Sequence, residues 1–200
     1  QLAQVLVGHD ATGSIMNFDQ DGDIAAGGTK IKEAIFINFA RLLVKDEIKK
    51  GSFEIKLMSG STPAARSTAT MATISDYQAT TSYRTNSPAG EFGILYTSSA
   101  TPNTDSGVGL IYYQAGVAVL TASIFDGEYG NKGATYDTGS VNAVLTGSAI
   151  SASADGLRNS LNNLSFNNTT ELNSTIYFCR ANHNDFNYSS NPTYLSSSKI

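Results

Sequence analysis

The amino-acid sequence predicts a mainly β fold: an antiparallel sheet or sandwich with one or two short helices and long loops, an α+β arrangement being the alternative. Three observations predict it. The stretch 108–125 holds two β-prone runs, 108–113 and 117–125, separated by Gln114-Ala115-Gly116. A glycine closing that connection suits a hairpin turn that ends at positive φ. Val117, Val119, Leu120, Ile124 and Phe125 do not alternate cleanly with polar residues, the pattern of a strand covered on both faces, which puts this hairpin in the middle of the fold. The stretch 52–58 does alternate, Ser-Phe-Glu-Ile-Lys-Leu-Met, and reads as a strand with one wet face.

The other elements follow in order. Residues 2–7 form a short apolar strand candidate, and 8–29 a loop. Residues 30–50 mix helical spacing (Ile31, Ile35, Phe39, Leu42) with strand formers. They divide into a strand up to about Ala40 and a helix over 41–50, which Gly51 stops. Residues 59–89, rich in Ser, Thr and Ala, read as an extended arm or a long loop. Another strand is expected at 91–97. A turn-rich loop follows over 126–138, and 139–150 is ambiguous. A short helix fits 153–164, where Ser153 and Asp155 can cap and Leu157, Leu161 and Leu164 recur at helical spacing. Residues 174–181 are the clearest strand near the end, and the Asn-rich stretch 182–192 has the turn chemistry of a structured loop. The whole, 1–200, is expected to be a single β-rich domain that can be a piece of a longer chain.

Composition narrows the function classes. Charged residues make up 15% of the 200, with net charge −4, ten Tyr, nine Phe and no Trp, against a typical charged fraction of about 25%. With no cluster of Lys and Arg there is no electrostatic footprint for nucleic acid. No apolar run approaches the roughly 18 residues of a membrane span. The one cysteine, Cys179, cannot form an internal disulfide and reads as a small buried hydrophobe.

Chemistry-bearing motifs are sparse. Asp19-Gln20-Asp21-Gly22-Asp23 suggests calcium, but its glycine is fourth rather than sixth, and Lys30 stands twelfth where calcium loops place a bidentate Glu. A solvated acidic turn is the expectation. His9-Asp10 and His183 with Asp185 are the histidine–carboxylate neighbourhoods, and a metal site using both histidines would need them to converge. Asp126, Glu128 and Asp137 could supply paired carboxylates, but in Gly-rich surroundings. Neither a nucleophile elbow nor a phosphate loop is present. Asn163, Asn168 and Asn173 open Asn-x-Ser/Thr triplets that an Asn-rich chain forms by chance. The scattered tyrosines (Tyr83, Tyr96, Tyr112, Tyr113, Tyr129, Tyr136, Tyr188, Tyr194) admit carbohydrate or receptor binding, although β proteins use Tyr in strands anyway. No catalytic, cofactor-binding or metal-ligating residue is assigned.

Three stretches carry a resemblance: 36–53 (Phe-Ile-Asn-Phe-Ala-Arg-Leu-Leu-Val-Lys-Asp-Glu-Ile-Lys-Lys-Gly-Ser-Phe), 109–121 (Gly-Leu-Ile-Tyr-Tyr-Gln-Ala-Gly-Val-Ala-Val-Leu-Thr) and 178–194, which opens Phe-Cys-Arg-Ala-Asn-His-Asn-Asp-Phe. Together they resemble virion structural proteins of large contractile-tailed bacteriophages, of the tail or baseplate kind. The resemblance implies a non-enzymatic, cofactor-free assembly subunit, made in the host cytoplasm and built into the virion. Its partners would be other virion proteins and copies of itself. The competing readings are a receptor- or carbohydrate-binding module of the tail and a neck or head–tail connector. On the assembly reading, the arm 59–89 and the loop 182–194 make the contacts between subunits.

Overall fold

Period-two alternation in one hairpin organises the molecule. The computed structural model describes residues 1–24, 27–59, 67–97, 106–125, 157, 160–170 and 172–180. By contact the chain divides into two units, Gln1–Thr170 and Glu171–Ile200. In chain order the first unit carries α1 (Leu2–Val7), β1 (Phe18–Asp19), β2 (Lys30–Ile31), β3 (Ala34–Asn38), α2 (Arg41–Val44), β4 (Glu47–Ile48), β5 (Glu54–Ser59) and β6 (Ser67–Ser75). It continues with α3 (Ala79–Ser82), β7 (Arg84–Ser87), β8 (Gly90–Leu95), β9 (Gly109–Tyr112), β10 (Val117–Thr121), a 3₁₀ turn (Ala122–Phe125), β11 (Leu161–Ser165) and β12 (Asn168–Thr169). The fold is mainly β, and among the described residues every strand pairing is antiparallel.

The hairpin β9–β10 lies inside a five-stranded sheet of order β3-β10-β9-β8-β7. Gly116 takes φ 67° at the end of the turn, and its N–H donates to the Tyr112 carbonyl at 2.9 Å. Successive side chains go to opposite faces. Ile111, Tyr113, Ala118 and Leu120 join one core with Ile55, Leu57, Ala72 and Ile74 of the sheet β11-β5-β6. Leu110, Tyr112, Val117 and Val119 join a second core with Leu6, Val7, Phe18 and Ile31. The hairpin is therefore covered on both sides, as its apolar run requires. Each such fully buried large side chain contributes roughly 1.5–3 kcal/mol.

Several expectations need correction, each for a tertiary reason. Residues 2–7 are a helix, not a strand, because Ala3, Leu6 and Val7 (i, i+3, i+4) form one apolar stripe against the second core, while Leu2 and Val5 are exposed. The helix expected over 41–50 ends at Val44. No side chain caps it, Lys45 turns to φ 58°, and neighbours capture the backbone beyond it. Ile48 N–H donates to the Tyr113 carbonyl and Lys49 N–H to the Asn167 carbonyl, while β4 pairs with β12.

The described residues of the stretch 59–89, namely 59 and 67–89, are not an arm or a long loop. Most of the stretch is built into the fold as β6 against β5, α3, and β7 against β8. Threonine is a strand former, and Ala72 and Ile74 alternate inward with Thr73 and Ser75. Within the helix expected over 153–164, Leu157 and Ser160 are helical, 153–156, 158 and 159 lie outside the described residues, and β11 takes over from Leu161. A register shift between Leu161 and Asn163 lets two leucines three residues apart pack on the same core, so helical spacing there reports a bulge. In the second unit, residues 174–180 form no strand. The ambiguous and turn-rich stretches 126–150 and the loop 182–194 lie outside the described residues.

Candidate functional site

The acidic loop is the first place where chemistry-bearing side chains converge. Pairing of β1 with β2 sets Asp19 opposite Lys30, and the lysine ammonium bonds Asp19 Oδ2. The Asp19 side chain is fully buried, and its other oxygen, Oδ1, has no hydrogen-bond partner. Of the solvated turn that the sequence suggests, Asp23 is exposed and Asp21 half-buried, while Asp19 is taken out of water. One carboxylate oxygen from each of Asp19, Asp21 and Asp23 lies within 4.8 Å of the others. Asp21 Oδ1 accepts the Asp23 N–H at 3.1 Å. Two side chains of β7 pin the loop backbone from outside: Arg84 donates to the Asp21 carbonyl, and Asn86 to the carbonyls of Gly22 and Asp23. Burial raises the Asp19 carboxyl above its ordinary value, and the charge of Asp21 pushes the same way against Lys30.

A second buried carboxylate was not legible in the sequence. Asp76, which directly follows β6, is fully buried. Its Oδ1 accepts the Phe53 N–H at 3.0 Å, and its Oδ2 accepts the Gly51 N–H at 2.7 Å and the Tyr113 hydroxyl at 3.0 Å. The phenol reaches it over Gly93, where any Cβ would fall on the Tyr113 hydroxyl. Beside it, Lys50 bonds Glu91 at 2.5 Å, lies 3.6 Å from Glu47, and sits over the rings of Tyr83 and Tyr113. Burial pulls the Lys50 ammonium down, but the Glu91 hydrogen bond and the charges of Glu47 and Glu91 outweigh it and leave it above the ordinary lysine value. With both oxygens of Asp76 engaged, this cluster is a clamp joining the β4–β5 connection to the central hairpin. It offers no open position to a substrate.

The clamp has a pH signature. Burial raises the Asp76 carboxyl above 3.8, although the hydrogen bonds from Gly51, Tyr113 and Phe53 oppose the rise. The folded chain then holds this proton more tightly than the unfolded chain. The resulting stability is fully present below pH 3.8 and is lost as pH rises through the higher folded value. Asp76→Asn does not titrate. The stability difference between wild type and this variant, measured by urea unfolding from about pH 3 to pH 7, is expected to move in favour of the variant as pH rises. A difference that stays constant, or moves the other way, would contradict the raised value.

The sequence-level candidates fare differently. His9 is exposed, and Asp10 accepts hydrogen bonds from Thr12 and Ser14. Those bonds, the Thr12 hydroxyl first, lower the Asp10 carboxyl. His183, Asp185, Asp126, Glu128 and Asp137 lie outside the described residues. Cys179 is exposed rather than buried, in a stretch that also exposes Leu172, Ile176, Tyr177 and Phe178, at 91%, 74%, 83% and 93%. Among the described residues no strand pairs with that stretch. An open groove of about 690 Å³, lined by Ala3, Ile15, Met16, Phe18, Ile31 and Phe36, runs along the face of α1 and β2. Among the described residues no helix is long and apolar enough to cross a membrane. The chain matches no protein-family model, no curated protein and no solved structure.

Proposed function

We propose that the chain is a non-enzymatic structural subunit of a bacteriophage virion, placed in the tail or baseplate and acting through contacts with neighbouring subunits. One observation carries the reading. Ile176, Tyr177 and Phe178 are consecutive strand formers, each at least 74% exposed. A run of large apolar residues costs free energy in water until something covers it, and a neighbouring subunit pairing with an extended segment does so by adding a strand. Leu42 and Leu43, 87% and 58% exposed on α2, point the same way. Packing accounts for Val44 and Ile48, which the first core buries, but not for these two leucines. Two of the three stretches that resemble virion proteins, 36–53 and 178–194, include or adjoin these surfaces.

Immunogold electron microscopy of purified phage particles, with antibody against this chain, tests the proposal. Label at the distal end of the tail is expected. Label at the head–tail junction would reassign the subunit to the neck, and no label on intact or disrupted particles would remove the virion reading. The double substitution Ile176→Asp and Phe178→Asp is expected to reduce incorporation into particles at least about tenfold, since burying either charge in an interface costs several kcal/mol. The thermal unfolding midpoint of the isolated chain should stay unchanged.

A further inference from the structure

We propose that the loop carrying Asp19, Asp21 and Asp23 is a calcium site, independent of the assembly role. The three carboxylates present oxygens within 4.8 Å of one another, close enough for one calcium ion to take an oxygen from each. The second observation is Asp19 itself: fully buried, with Oδ1 lacking a partner. A buried carboxylate oxygen left unpaired carries its desolvation cost uncompensated. Lys30 satisfies only Oδ2. Three carboxylates and one ammonium leave a local charge of about −2, which one divalent cation neutralises.

The carboxylates stand at the first, third and fifth positions of the loop, the spacing by which calcium loops deliver their side-chain ligands. Calcium fits better than magnesium, because it accepts irregular sets of oxygen ligands, whereas magnesium demands near-ideal octahedral geometry. The loop is also held in place before any ion arrives, since Arg84 and Asn86 fasten the carbonyls of residues 21–23 to β7. Lys30 stands where such loops carry a bidentate glutamate. Its ammonium competes with the ion for Asp19, so the site binds weakly, with a dissociation constant of about 10⁻⁵–10⁻³ M.

Calcium chloride titrated into the purified full chain, followed by calorimetry and by thermal unfolding, decides the matter. One saturable site is expected, together with a rise of the unfolding midpoint in calcium. Asp23→Asn changes an exposed side chain and should leave the fold intact while weakening binding at least about tenfold, the loss of one charged ligand. Lys30→Gln removes the competing ammonium and should tighten binding. Absence of saturable heat up to about 10 mM calcium, well above the weakest class of such sites, would overturn the proposal. So would equal binding by wild type and Asp23→Asn.

Discussion

Asp76→Ala is expected to destabilise the first unit by about 3–5 kcal/mol and to lower its unfolding midpoint by on the order of 10 °C. The carboxylate accepts from the Phe53 N–H, the Gly51 N–H and the Tyr113 hydroxyl, and alanine leaves all three donors without it. The Phe53 and Tyr113 donors are buried, where each orphaned group costs roughly 1–3 kcal/mol. Release of a buried charge offsets part of this loss. Tyr113→Phe removes a single donor and should cost only about 1–2 kcal/mol, so the two variants together separate the clamp from the packing of the ring. Urea unfolding at neutral pH measures both. A loss below about 1 kcal/mol for Asp76→Ala, the size of one ordinary hydrogen bond, would show that the clamp does not hold the β4–β5 connection.

Gly109→Ala is the second large effect, about 3 kcal/mol or more. Glycine is a poor strand residue, and inside a strand it marks a place where another backbone comes close. Gly109 lies between Leu120 of β10 and Leu95 of β8. A Cβ there would fall on the Val119 carbonyl oxygen, with the Leu120 Cα at 3.2 Å. A side chain could swing away, but a main-chain carbonyl inside a five-stranded sheet cannot move without splaying β9 from β10. A variant within about 0.5 kcal/mol of wild type, the range of an ordinary surface substitution, would mean that the strands do not approach there as closely as described.

The central hairpin was legible because its chemistry is local. Gly116 supplies the positive φ of the turn, and a run that is apolar at every position fits only a strand covered on both faces. The strand 54–59 was legible for the converse reason, since Ile55 and Leu57 point inward while Glu54 and Lys56 stay wet. Where spacing misled, two periodicities coincided. Leu161 and Leu164 fit a helix or a bulged strand equally well, and the unpaired edge of β5 chose the strand. Residues 2–7 are apolar enough for either, and the face of the second core selected the helix.

The candidate site was half legible. The motif 19–23 identified the acidic residues, yet whether they are wet or buried depends on β1 meeting β2, which the loop sequence does not encode. Asp76 left no signal, because what makes it a clamp is the approach of residues 23 to 37 positions away in the chain. By itself the sequence determined the fold class, the hairpin and its turn, for these follow from alternation and backbone preference within a few residues. The tertiary structure alone decided which faces are covered, which carboxylates lose their water and where the apolar run near Phe178 stays exposed. Burial is a property of neighbours, and those neighbours are brought together only by the pairing of strands far apart in the chain.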